Sequence, residues 1–109
     1  MYKRGDVVYS IPGGGRLGGT GYPVVIISDG DLSFNKRVNA VNLTLFPRDL
    51  RSTDVVVEAT GNPSVARCGV IQSIPVEWLG DYIGECTEEE MTDISLAVAH
   101  SLGLKKYGY

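Results

Sequence analysis

The chain has a single histidine, His100, and only two cysteines, Cys68 and Cys86. One histidine leaves little room for a Ser–His–Asp arrangement, and no grouping of His, Cys and carboxylates has the spacing of metal ligands, so neither a zinc site nor a cofactor is expected. The cysteines lack a C-x-x-C pattern and a neighbouring histidine, and read as reduced, small hydrophobic residues. Long apolar runs are also missing. The longest, Pro23 to Ile27, falls far short of the roughly 20 residues that cross a bilayer, which excludes a transmembrane helix. The N-terminal residues run directly into a strand-like pattern without the apolar stretch of a signal peptide, so the expected location is the cytoplasm. Strong charge of one sign is absent as well, because the formal net charge is −3. The distribution is nevertheless uneven. Residues 1–69 carry eight Lys/Arg against six Asp/Glu, and residues 70–109 carry two against seven. An excess this small allows a local phosphate-binding patch but does not by itself identify a nucleic-acid binder.

What is present describes one packed unit. At 109 residues the chain suits a single domain, residues 1–109, since halving it would leave two cores too small to be stable. Asp6–Ile11 is rich in β-branched and aromatic residues and stops at Pro12-Gly13-Gly14-Gly15, as a strand followed by a loop. Pro23–Ser28 is almost wholly apolar and reads as a central strand covered on both faces. Val38–Leu45 alternates loosely and sets Asn42 and Thr44 on one side. Val55–Ala59 and Val65–Ile71 read as a hairpin around Thr60-Gly61-Asn62-Pro63-Ser64. Pro75 opens a helical turn over Val76–Leu79, and Tyr82–Cys86 reads as a short closing strand.

The last element is a helix. Thr87-Glu88-Glu89-Glu90 fits a capping box, Met91, Ile94, Val98 and Leu102 recur on one face, and Gly103 supplies the stop. Leu96 and His100 fall on the opposite side. Strands followed by one helix, with no βαβ alternation, predict a mainly β α+β domain: a small antiparallel, SH3-like partial barrel with a C-terminal α-helix.

Gly13-Gly14-Gly15-Arg16-Leu17-Gly18 matches G-x-G-x-x-G, but a dinucleotide site needs a helix after it, and Thr20-Gly21-Tyr22-Pro23 leads into a strand. The loop instead reads as permissive backbone that can carry Arg16 to a phosphate, or as a plain connection. Chemistry in this chain therefore falls to arginine, threonine, tyrosine and backbone groups. Those suit phosphoryl transfer on RNA, where the ribose 2′-hydroxyl is an internal nucleophile.

The order of motifs resembles the MazF/PemK/Kid family of toxin–antitoxin ribonucleases. Arg4-Gly5-Asp6-Val7-Val8-Tyr9 is similar to the family's opening strand, Gly18-Gly19-Thr20-Gly21-Tyr22-Pro23-Val24-Val25 to its GG-x-RP-V strand, and Asn35-Lys36 to its Asn-Lys pair. Val41-Asn42-Leu43-Thr44 resembles the strand ending in its site threonine, Val65-Ala66-Arg67-Cys68 its VRCD-type strand, and Ser101-Leu102-Gly103-Leu104 the MazF-like ending. Two positions depart from the pattern: Tyr22 stands where the family has arginine before proline, and Gly69 where it commonly has an acidic residue.

The resemblance implies a homodimeric, cofactor-free enzyme that cleaves single-stranded RNA by 2′-hydroxyl attack. On this reading Arg16 or Arg67 stabilises the phosphorane, Thr44 bonds a phosphate oxygen, Tyr22 donates a proton weakly or stacks on a base, and Asn42, Lys36, Arg37 and Arg48 hold the RNA. The expected partner is an antitoxin whose acidic, disordered segment meets Arg16, Lys36, Arg37, Arg48 and Arg67. The two departures keep a second reading open, a toxin-fold binding protein without catalysis, acting on RNA or on a protein target as CcdB toxins do.

Overall fold

The computed structural model describes residues 2–16, 18, 20–29, 36–45 and 49–109. Among these residues six strands are present: β1 (Asp6–Ser10), β2 (Tyr22–Ile26), β3 (Arg37–Thr44), β4 (Asp54–Val57), β5 (Ser64–Pro75) and β6 (Leu79–Glu85), followed by helix α1 (Glu88–Ser101). They form one antiparallel sheet in the order β4-β5-β3-β2-β1-β6. The sheet is open at β4 and β6, so the expected mainly β, antiparallel partial barrel with a terminal helix is the architecture observed.

The apolar run of β2 explains why the sheet has two cores. Val24 and Ile26 enter one cluster with Val8, Val38, Ala40 and Ile74, while Val25 enters the other with Val7, Val41, Leu43, Cys68, Met91 and Ile94. Successive strand side chains point to opposite faces, so a strand with no exposed face must be apolar throughout. Helix α1 covers the second cluster; Tyr2, Val76, Trp78 and Leu79 pack against the first.

The capping box forms as the sequence predicts. Thr87 Oγ1 accepts the Glu90 N–H at 3.1 Å, and Glu90 Oε1 accepts the Thr87 N–H at 2.9 Å. The other Glu90 oxygen accepts the Glu58 N–H at 2.7 Å, which ties the helix start to the end of β4. Arg4 makes a second tie, donating to the Ile27 carbonyl at 2.6 Å and to Ser95 Oγ. Gly103 stops the helix in the left-handed region at φ 74°.

Two sequence expectations need correction. Leu102 was assigned to the buried helix face but is 58% exposed; it caps the helix beyond Ser101, past the stretch where Met91 and Ile94 reach the sheet. The strand expected to end at Ile71 continues to Pro75, because β5 remains paired with β3 from Ile71↔Val41 to Pro75↔Arg37.

Candidate active-site face

Alternation along β2 and β3 decides which polar residues meet. Tyr22 shares a face with Val24 and Ile26, and Asn42 and Thr44 share it with Val38 and Ala40, so all three lie on the sheet face away from α1. The sequence expectation that Asn42 and Thr44 point the same way agrees with this register, in which Val24 pairs with Asn42. Gln72 joins them from β5, across from Ala40, and sequence reasoning missed it.

These side chains form a continuous chain of hydrogen bonds. The Tyr22 hydroxyl donates to Gln72 Oε1 at 2.9 Å, and Gln72 Nε2 donates to Asn42 Oδ1 at 2.5 Å. All three residues are half-buried. The Tyr22 proton, expected to serve as a weak acid, is thus already committed to Gln72. Ser10 sits across from Tyr22 in the β1–β2 register, fully buried, and its hydroxyl has no partner among the described residues.

Arg67 reaches the same face from the other side. Thr44 pairs with Val65, and Arg67 lies two residues further along β5. Here the β3–β5 register shifts between Val41 and Leu43, so that residues 67–70 of β5 bulge out opposite Asn42. Such bulges re-aim side chains. Arg67 pairs in register with Asp54 of β4, and its Nη1 donates to Asp54 Oδ2 at 2.5 Å and to the Asp49 carbonyl at 3.1 Å. The carboxylate is 1% exposed and the guanidinium side chain 17%. Asp54 Oδ2 also accepts the Arg51 N–H at 2.7 Å.

Gly69 belongs to the bulge, and a Cβ there would approach Thr53 Oγ1 to 2.8 Å. A side chain at this position, acidic or otherwise, therefore requires Thr53 to move. The carboxylate beside Arg67 is that of Asp54.

The other predicted site residues are dispersed. Arg16 closes a tight turn over Pro12–Gly15 in which Gly13, Gly14 and Gly15 all have positive φ; its side chain is exposed and makes no hydrogen bond among the described residues. The glycines thus serve a built turn, whose Gly14 lies against the Glu77 carbonyl. Lys36 is exposed at φ 59°. Arg37 donates to Ser73 Oγ at 2.9 Å and to the Ser73 carbonyl at 3.0 Å. Arg48 and Asn35 lie outside the described residues.

Both thiols are buried and free. Burial, aided by nearby Asp54, pushes Cys68 up to about 11, and burial with Glu90 pushes Cys86 up to about 12. They remain protonated at neutral pH and cannot act as nucleophiles there.

Comparisons with known proteins bear on the family and the fold as a whole. No curated protein matches the sequence. Among solved structures, a mycobacterial endoribonuclease in complex with its cognate antitoxin is 29% identical, with 95% of this chain and 97% of that chain covered and a TM-score of 0.79. A second mycobacterial endoribonuclease is 28% identical over 94% of this chain and 92% of its own, with a TM-score of 0.76. The Mycobacterium tuberculosis toxin MazF-mt6, at 24% identity over 93% and 98% of the two chains, shares the fold with a TM-score of 0.73. Residues 3–102 match the family described as PemK-like, MazF-like toxin of type II toxin-antitoxin system. The chain belongs to that toxin family.

Proposed function

We propose that the chain is an endoribonuclease toxin that cleaves single-stranded RNA on the face carrying Tyr22, Asn42, Thr44, Gln72 and Arg67, without a cofactor, as a homodimer held in check by an antitoxin. The observation that carries the reading is the convergence of an anchored arginine with half-buried amide and hydroxyl groups on one side of the sheet. Family membership and the mycobacterial relatives, described as endoribonucleases, support the reaction class.

The chemistry requires little of the protein beyond positioning and charge stabilisation. The ribose 2′-oxygen attacks the adjacent phosphorus, forming the O2′–P bond and breaking the P–O5′ bond, so the products are a 2′,3′-cyclic phosphate and a 5′-hydroxyl. Water takes the 2′-hydroxyl proton and returns one to the departing 5′-oxygen, since the Tyr22 proton is held by Gln72. Arg67 has Nη2 and Nε left to face the phosphorane, and Thr44 donates to a non-bridging oxygen. Arg16, Lys36 and Arg37 meet the flanking backbone, and the same cations attract the acidic segment of an antitoxin.

A second reading, RNA binding without cleavage, is favoured by one observation: the residue before Pro23 is a neutral phenol with its proton engaged. The experiment is incubation of purified protein with a long RNA in EDTA and mapping of 5′-hydroxyl ends. Slow cleavage by the wild type, weakened by Thr44→Ala and increased by Tyr22→Arg, supports the enzyme. Cleavage by Tyr22→Arg alone supports the binding protein, and cleavage by neither removes the ribonuclease reading.

A further inference from the structure

Resting on the RNA-binding reading of this face, we propose that Gln72 is a positioning residue that turns Tyr22 into a hydrogen-bond acceptor, so that Tyr22 and Asn42 read a nucleobase edge rather than contact phosphate. A phenol has one proton. Once Tyr22 donates it to Gln72 Oε1, the hydroxyl offers only lone pairs to a ligand. A phosphate oxygen brings lone pairs of its own and is repelled; an imino or amino N–H of a base is attracted. At the other end, Asn42 Oδ1 is turned toward Gln72 Nε2, from which it accepts, and the Asn42 amide protons, which have no acceptor among the described residues, are left to donate to a base carbonyl or ring nitrogen.

The chain is therefore polarised, with an acceptor at Tyr22 and donors at Asn42, and Gln72 sets both signs together. Reversing the Gln72 amide would have Nε2 donate to Tyr22, releasing the phenol proton, and would force Asn42 to turn its amide inward. The partly buried Tyr22 packs against the cluster of Val8, Val24 and Ala40, which keeps the ring in place while the proton direction is decided by Gln72. Single-stranded RNA presents such edges freely, because its bases are not paired.

The test uses non-cleavable 2′-O-methyl homotetramers of each of the four bases, titrated against wild type, Tyr22→Phe, Gln72→Ala, the double variant and Gln72→Glu. One base is expected to bind the wild type roughly tenfold tighter than the least favoured, the size of one net hydrogen bond. Tyr22→Phe and Gln72→Ala should each shrink that preference by weakening the favoured oligomer most, and the double variant should match either single. Gln72→Glu keeps an acceptor for Tyr22 but accepts from Asn42 too, turning the Asn42 oxygen outward, so its preferred base should change. In the free protein, a slowly exchanging Tyr22 hydroxyl proton should be visible by NMR and vanish in Gln72→Ala. Equal binding of all four oligomers, no binding, additive losses in the double variant, or absence of the protected hydroxyl proton overturns the proposal. Selective binding without cleavage of long RNA would instead remove only the ribonuclease reading.

Discussion

Replacing Arg67 by alanine should destabilise the protein before it says anything about catalysis. The side chain is paired with an Asp54 carboxylate that is 1% exposed, at 2.5 Å. Without the guanidinium, that carboxylate keeps the Arg51 N–H at 2.7 Å and no cation. Breaking a buried pair by removing one partner costs about 3–5 kcal/mol. Arg67 is itself 17% exposed, so water can partly replace it, and the lower end, about 3 kcal/mol, applies. For a domain of this size that corresponds to a fall in Tm of roughly 12 °C. Asp54→Asn removes the charge but retains an acceptor, and leaves a cation that can turn to solvent; about 1–2 kcal/mol is expected. The double variant no longer buries an unpaired charge and should be more stable than the sum of the singles implies, by about 1–2 kcal/mol. Urea unfolding followed by fluorescence of the sole tryptophan, Trp78, measures all three. Strict additivity, or a loss below about 1 kcal/mol for Arg67→Ala, refutes the pairing argument and frees Arg67 to be read as a purely catalytic cation.

Two further outcomes are expected. Gly84→Ala would drive a Cβ into the Ala59 carbonyl oxygen, a backbone atom that cannot rotate away, so a loss at or above the roughly 1–3 kcal/mol usual for overpacking should appear as a lowered urea midpoint; an unchanged midpoint would disprove that β6 and the Ala59 turn touch. Alkaline pH should also destabilise the fold: Cys68 rises from 9.0 to about 11 and Cys86 from 9.0 to about 12, so the unfolded chain loses its thiol protons first and the folded state holds more. Stability from this source is full below pH 9 and lost as pH rises toward the folded values, with a slope approaching roughly 1.4 kcal/mol per thiol per pH unit between the unfolded and folded values. Cys86→Ala, though less stable at pH 7, should show about half that slope between pH 9 and 10, and an unchanged slope would assign it to other groups.

The parts of the fold that depend on local chemistry were legible in the sequence. Thr87 and Glu90 announce a helix start because the capping box satisfies backbone donors within four residues, and the apolar β2 announces burial on both faces without reference to any partner. The end of β5 was hidden for the opposite reason. Residues 67–70 form a bulge that breaks the two-residue period, and Gln72 and Ser73 beyond it read as loop although they remain paired with Ala40 and Asn39. Missing that continuation meant missing Gln72, the link between Tyr22 and Asn42. Asp54 could have been found. The hairpin turn predicted at Thr60–Ser64 pairs Val57 with Ser64, and counting three residues away from the turn, backward on β4 and forward on β5, sets Asp54 against Arg67. Leu102 was misjudged because helical periodicity gives a direction but not the extent of the surface beneath it.

The two departures from the family pattern have different physical weights. A side chain at residue 69 would meet Thr53, and Asp54 already pairs with Arg67 from the neighbouring strand, so Arg67 has a carboxylate without one there. Among the described residues the arginine missing at Tyr22 has no substitute on this face: Arg67 is charge-compensated, and Arg16 stands exposed on its own turn. A hydrogen bond to a charged group contributes about 1.5–3 kcal/mol against about 0.5–1.5 for a neutral one, so exchanging cation for phenol removes on the order of 1–2 kcal/mol of transition-state stabilisation, roughly a tenfold rate. What the phenol supplies in return, through Gln72, is a directed acceptor that a guanidinium, which has only donors, can never provide. Tyr22→Arg therefore separates the two roles within one substitution. It should quicken cleavage in the long-RNA assay and flatten the base preference of the tetramers, since no acceptor remains at that end of the chain. A variant that gained rate and kept the preference would place base reading elsewhere on the molecule, and one that lost both would show that the phenol itself takes part in the chemistry.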